Sequence, residues 1–228
     1  MSDTKASPGA ASEIYVGKPS SYFANARHDI VGLSPTGPKS SVLELGCGAG
    51  GTGRAMLAAG KAGRYVGIEL SETAAAKAAE DLSDVWVGDV EAMDLSGLAD
   101  QFDALIISEV LEHLRDPWTT LQRLVACLKP GGSVFASSPN VSHWMVVRDI
   151  FMGHFRYAES GAMDRTHLRW FTPESYREMF EEAGVVVDRV GPLVPLRWKA
   201  RLIGGLSGGR LDHLFAAQIM ICGRRLPK

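Results

Sequence analysis

Cysteine is scarce in this chain: Cys47, Cys127 and Cys222 are the only three among 228 residues. An odd number, so widely spaced, makes neither a disulfide framework nor a metal-spaced pair, and it suits a reducing cytoplasm. Charge of one sign is also lacking. The 24 Lys and Arg against 26 Asp and Glu leave a formal net charge of −2, so no global field favours nucleic acid. Long hydrophobic runs are missing as well, and nothing approaches the roughly 18 consecutive apolar residues of a membrane span. The opening MSDTKASPGAASE has neither the basic start nor the apolar core of a signal peptide. Residues 1–12 read as a disordered tail. There is no internal repeat. What is present, 46% apolar and 22% charged residues, describes one ordinary globular domain over 13–228, expected in the cytoplasm.

From Ser41 onward, apolar runs alternate with helical patterns, the mark of βαβ units. Strands are predicted at 42–45, 64–69, 84–87, 102–108, 133–137, 185–190 and 215–222. The fourth, FDALIIS, is nearly all apolar, as a central parallel strand should be. Helices are predicted at 52–59, at 72–82 behind a Ser71 cap, at 116–128 with Pro117 in its first turn, and at 172–184. The fold class is therefore α/β: a Rossmann-like, seven-stranded, mostly parallel sheet with helices on both faces and the last strand antiparallel. Residues 139–171 lack clean periodicity and read as an insertion with a short helix at 144–152. Residues 191–213 read as a loop with one short helix at most. Within it, Leu193, Val194, Leu196, Trp198, Leu202 and Ile203 lie among Arg197, Lys199, Arg201 and Arg210. This segment is taken as a lid or packed crossover, with a membrane-surface element or dimer contact as alternatives.

Residues 44–51 read ELGCGAGG. Gly46, Gly48 and Gly50 fit E-x-G-x-G-x-G, while Gly46, Gly48 and Gly51 fit the dinucleotide pattern G-x-G-x-x-G. Either way, a tight turn after a strand needs residues without Cβ so that backbone can touch a ligand and enter a helix. The neighbours separate the two cofactors. Glu69 ends the second strand, where an acid accepts ribose hydroxyls, a feature shared with NAD enzymes. Asp89 ends the third, where a carboxylate suits an exocyclic adenine amine. Glu44, just before the glycines, would repel a pyrophosphate but not a cationic amino group.

VLELGCGAGGTG, VGIEL, GDVEAMDL, FDALIISEVLEHLRDP and LKPGGSVFAS follow in order. Over residues 20–190 the chain resembles the class I S-adenosylmethionine-dependent methyltransferases. The resemblance implies that Gly46, Gly48 and Gly50 line the methionine and ribose of S-adenosylmethionine. It implies that Glu69 and Leu70 hold the ribose, and Asp89 and Val90 the adenine. Ser108 and Glu109 would lie beside the methionine part or the transferring methyl. Upstream, Tyr22 and Arg27 would sit on a helix closing over the cofactor; Arg27 either pairs with its carboxylate or is a surface arginine. Cys47 is expected to pack inside the turn. Glu112 and His113 are taken as braces of the loop after the fourth strand, not as an acid–base pair.

Methyl transfer is an in-line displacement, so alignment, water exclusion and a base are the devices required. The insertion supplies candidates. His143 is the first choice of base, His167 the second, with Asp164 placed to orient an imidazole. Trp144, Phe155, Tyr157 and Trp170 are suited to wall off water or stack on a ring, and Arg148, Arg156, Arg165 and Arg169 to grip a phosphate or carboxylate. There is no tight metal spacing such as HxxxH, and no metal is expected. The stretch SPNVSHW…DRTHLRWFTPES…FEEAG resembles a ubiquinone/menaquinone-type bacterial subgroup, often associated with glycosyltransferases. That resemblance implies O-methylation of a small-molecule acceptor, a sugar or another hydroxylated compound. Three alternatives remain: a non-catalytic cofactor-binding protein of the same fold, NAD-dependent reduction, and a nucleic-acid methyltransferase. Against the last stands Ser108-Glu109-Val110-Leu111, where adenine-amino methyltransferases carry Asn/Asp-Pro-Pro-aromatic.

Overall fold

The computed structural model describes residues 26–196 and 198–227, the side chain of Lys199 excepted. Tyr22, Arg197 and the tail expected at 1–12 lie outside the described residues. Seven strands form one sheet: β1 (Ser41–Leu45), β2 (Arg64–Glu69), β3 (Asp84–Val87), β4 (Phe102–Ser108), β5 (Leu128–Pro139), β6 (Val185–Pro192) and β7 (Gln218–Arg225). Their order is β3-β2-β1-β4-β5-β7-β6. β1 to β5 pair in parallel, and β7 runs antiparallel to both of its neighbours, β5 and β6. The order reverses between β1 and β4, so the carboxyl tips of these two strands border the crevice where open α/β sheets take their ligands.

Strand alternation sorts the core into two layers. Leu43, Leu45, Val66, Ile68, Leu105 and Ile107 face one side, against Leu121 and Leu124 of α4 (Pro117–Cys127) and Tyr176 and Phe180 of α6 (Pro173–Glu182). Val42, Tyr65, Ala104 and Ile106 face the other. There they meet Ile30 of α1 (His28–Leu33), Met56 of α2 (Gly51–Ala58) and Ala78 of α3 (Glu72–Ala78). Local chemistry sets the helix starts. The Ser71 hydroxyl caps Ala74 N–H, the Asp116 carboxylate caps Thr119 N–H, and Thr172 and Ser175 form a reciprocal capping box.

Differences from the expected elements have local causes. β5 begins five residues early, because Lys129-Pro130-Gly131-Gly132 makes an irregularity inside the strand and not a break before it. The register jumps from Phe102↔Leu128 to Ala104↔Ser133, with Gly131 at φ 78°. β7 starts three residues late, because Asp212–Phe215 forms a 3₁₀ turn. Buried Asn140 pins that turn, donating from its amide to the carbonyls of His213 and Ala216, both at 2.7 Å. Arg27 is not inside a helix; it is the N-cap residue of the six-residue α1. The insertion carries α5 (Trp144–Phe151), and the 191–213 segment carries α7 (Trp198–Leu206). Among the described residues, no helix is long and apolar enough to cross a membrane.

Candidate active site

A cavity of about 460 Å³ opens at the carboxyl tips of β1 to β4. Its floor is the turn after β1. Gly46 and Gly48 hold φ of 71° and 54°, and a Cβ on Gly46 would sit 2.5 Å from a Val110 methyl. Bare backbone is thus a steric requirement at Gly46. Gly50 does not line the cavity, contrary to expectation. Its left-handed conformation starts α2, and it packs so close to α3 that a Cβ would lie 3.1 Å from the Ala78 Cα. Cys47 packs against Gly67, and burial pushes its thiol well above the ordinary range, as an inert packing residue requires.

Carboxylates surround this floor. Glu69, at the end of β2, accepts Gly48 N–H on one oxygen and Ser71 N–H on the other, both at 2.9 Å. Burial raises its pKa, while the N–H bonds pull it back. Each oxygen keeps a lone pair for a further donor. Glu44 lines the cavity and accepts from the buried Tyr65 hydroxyl at 2.9 Å. Burial pushes its pKa up to about 7, against the pull of Tyr65 and Thr52. It is therefore not the fixed negative charge the sequence suggests; its ionisation near neutral pH depends on its neighbours. Asp89, after β3, accepts Glu91 N–H at 2.9 Å and pairs with Arg115 at 3.1 Å. Leu70 and Val90 complete that wall.

On the β4–β5 side, the Arg27 guanidinium donates to the Ser108 hydroxyl and, at 2.8 Å, to that of Ser137. Its other edge forks onto Asp29. Although burial raises the pKa of Asp29, this pair and backbone N–H bonds hold it below the usual carboxylate range. Glu109 sits in the left-handed region at φ 57°. Its carboxylate accepts from Ser137 at 2.7 Å and from the Gln218 amide at 3.0 Å. These bonds tie the tips of β4, β5 and β7 together.

The histidines are placed differently from expectation. His143 is the N-cap residue of α5, packs on Trp144 and is not on the cavity wall; partial burial lowers its pKa. His113, read from sequence as a brace, does line the cavity. Its ring meets the edge of His167 at 4.8 Å between centroids, and its Nδ1 lies 3.2 Å from the Thr166 carbonyl. His167 is buried behind it. Asp164 shapes the turn that delivers both: its Oδ1 accepts from the Thr166 N–H and hydroxyl, and its carbonyl accepts His167 N–H. Glu112 does act as a brace, its carbonyl accepting Leu168 and Arg169 N–H. Its side chain is 1% exposed; Oε2 accepts from Ser138, and Oε1 is buried without a hydrogen-bond partner. Burial first, then the neighbouring Glu109, raises its pKa well above the carboxylate range. Glu112, His113 and His167 bring possible metal-ligand atoms within 4.8 Å of one another, where the sequence pattern indicated no metal. His113, expected as a brace, Thr166 of the insertion, Leu193 of the expected lid and Gln218 also stand on the wall. Of these, Gln218, the polar first residue of β7, is the one to which no motif pointed.

Comparison with known proteins agrees with this geometry. A family model described as a methyltransferase domain matches residues 21–190. A ubiquinone biosynthesis O-methyltransferase of Aeromonas salmonicida is 28% identical over 153 residues, 64% of this chain and 63% of that protein. Its Idiomarina loihiensis counterpart is 33% identical over 115 residues, 46% and 45% of the two chains. The matched segment thus spans less than two thirds of either relative. In fold, a SAM-dependent methyltransferase of Archaeoglobus fulgidus superposes with a TM-score of 0.64 at 18% identity, covering 93% of this chain and 97% of that one. The bare-glycine floor, the acids on successive strand tips and the family match over residues 21–190 lead to one statement: the chain belongs to the methyltransferase-domain family.

Proposed function

We propose that this protein transfers a methyl group from S-adenosylmethionine to a hydroxyl of a small-molecule acceptor. The observation that carries the reading is the convergence on one cavity of a glycine-floored turn, acids from the ends of four strands and one imidazole. The residues fit the cofactor. Asp89 and Val90 would hold the adenine and Glu69 the ribose hydroxyls. Gly46 and Gly48 would pass under the methionine chain, Arg27 would meet its carboxylate and Glu44 its ammonium. When bound, the cofactor supplies a methyl on a sulfonium whose departure leaves a neutral thioether.

The chain's own residues do the rest. Ser108 and Glu109, locked by Arg27, Ser137 and Gln218, fix the wall against which the acceptor is aligned. Val110, Leu114 and Leu193 exclude water. His113 takes the hydroxyl proton, with His167 packed on its ring and Thr166 at its Nδ1 to fix its plane. The ubiquinone biosynthesis O-methyltransferases among the relatives support oxygen as the atom methylated. The test is incubation with methyl-labelled cofactor and a panel of catechols, phenols and arylamines, read by mass spectrometry. Label on oxygen is expected; label confined to nitrogen, or to none of the panel while the cofactor binds, would contradict the reading.

A further inference from the structure

Behind the His113–His167 pair lies a second hollow, about 780 Å³, bordered by Arg156, Tyr157, Arg165, His167, Leu168 and Trp170. Two of its six wall residues are guanidinium side chains, and none is acidic. The wall is built, not draped. Ala158 and Asp164 form a β-bridge, with Ala158 N–H on the Met163 carbonyl at 2.8 Å and Arg165 N–H on the Ala158 carbonyl at 3.1 Å. This pins Arg156 and Arg165 on facing arms of one loop. The Trp170 indole N–H donates to the Ala162 carbonyl at 3.1 Å, and Phe155, Tyr157 and Trp170 stack edge and tilt on one another at 5.5 to 6.5 Å.

We infer that this hollow is the acceptor's anionic subsite and that it takes a phosphate-class group, phosphate or diphosphate. Two guanidinium forks on opposing arms match several phosphate oxygens at once, whereas one carboxylate offers only two. The aromatic floor beside them suits a ring or apolar linker next to that group. Glu159 pairs with Arg165 at 3.2 Å. Both partners of that pair are exposed, so an arriving anion displaces an interaction of little strength. Placement supplies the link to chemistry. Thr166 lines the main cavity, the next residue, His167, lines the hollow, and the two imidazoles touch between them. An acceptor anchored in the hollow therefore starts next to the proposed base. This assignment rests on the proposed methyl transfer for its purpose, but not for its existence.

Isothermal titration separates the two. Pyrophosphate, inorganic phosphate and acetate are titrated into the full chain, into an Arg156→Ala/Arg165→Ala double variant and into Arg177→Ala, an exposed arginine outside the hollow. S-adenosylhomocysteine is titrated in parallel. Pyrophosphate is expected to bind the parent chain and Arg177→Ala alike, and to lose roughly tenfold or more in affinity in the double variant, with acetate weakest throughout. S-adenosylhomocysteine affinity should not change in the double variant. Equal pyrophosphate binding by parent and double variant, or acetate binding as tightly as pyrophosphate, would overturn the phosphate subsite and leave the proposed function standing. Failure of S-adenosylhomocysteine to bind any of them would overturn the proposed function and leave the anion site standing.

Discussion

The side of the cavity proposed for the cofactor and the side proposed for the acceptor are built by different means. The first is made at the tips of β1 to β4, from backbone N–H groups, bare glycines and acids that end strands. Apart from Arg27, these residues lie in or just after a strand, so the sheet itself fixes their positions. The second takes Thr166 from the insertion, whose α5 has no buried residue and whose Phe151 is 86% exposed. The insertion's buried parts are Asn140, the Asp164–His167 turn and Phe171; just after that turn Leu168 and Arg169 donate N–H to the Glu112 carbonyl, and the His167 ring meets that of His113. The residues proposed for the cofactor are carried by the sheet, and those proposed for the acceptor hang largely from the insertion.

That contrast can be broken at several points. The largest effect is expected at the seam between the halves. His113→Ala should lower turnover by roughly 10²-fold or more, the usual weight of a general base, with S-adenosylhomocysteine affinity nearly unchanged. His143→Ala should leave turnover within a few-fold; the reverse ranking in a steady-state assay would return the base to α5. Next comes packing. Ile106, fully buried in β4, should cost about 2–5 kcal/mol on truncation to Ala. Ile150, 47% exposed in α5, should cost no more than about 0.5 kcal/mol. Urea denaturation of both variants measures this, and equal losses would show that the insertion is part of the core.

A third effect concerns pH. Glu44 has its folded pKa raised from the ordinary carboxyl value to about 7. The proton is therefore held more tightly in the folded than in the unfolded chain. The stability this carboxyl supplies is complete below its unfolded pKa near 4.5 and is lost as pH rises through 7. Glu44→Gln should flatten the fall in stability between pH 5 and 7.5 by about 2–3 kcal/mol. Parallel pH profiles for parent and variant would place the raised carboxyl elsewhere, with Glu112 or Glu69 as the next sites to test.

The same contrast explains what was readable in the sequence. Strands such as 64–69 and 84–87 emerge exactly where apolar alternation and a following turn residue place them, and the acids at their ends are visible because strand ends are visible. The motif records that glycine is needed at position 50, not whether a ligand or the close Ala78 backbone needs it. His113 reads only as a brace in the sequence because its neighbours His167 and Thr166 are more than fifty residues away in the chain. Only the folded insertion brings them together. The early start of β5 went unseen because Pro-Gly-Gly reads as a terminator, although a strand pair can absorb it as a bulge.

The central claim is that the bare turn after β1, with Glu69 and Asp89 on adjacent strand tips, holds the adenosyl and methionine parts of one cofactor. Isothermal titration of S-adenosylhomocysteine and of NADH into the parent chain, Glu69→Ala and Asp89→Ala tests it most directly. S-adenosylhomocysteine should bind the parent and weaken several-fold or more in each variant, with no binding of NADH. Binding of NADH in place of S-adenosylhomocysteine, or undiminished S-adenosylhomocysteine affinity in both variants, would contradict it.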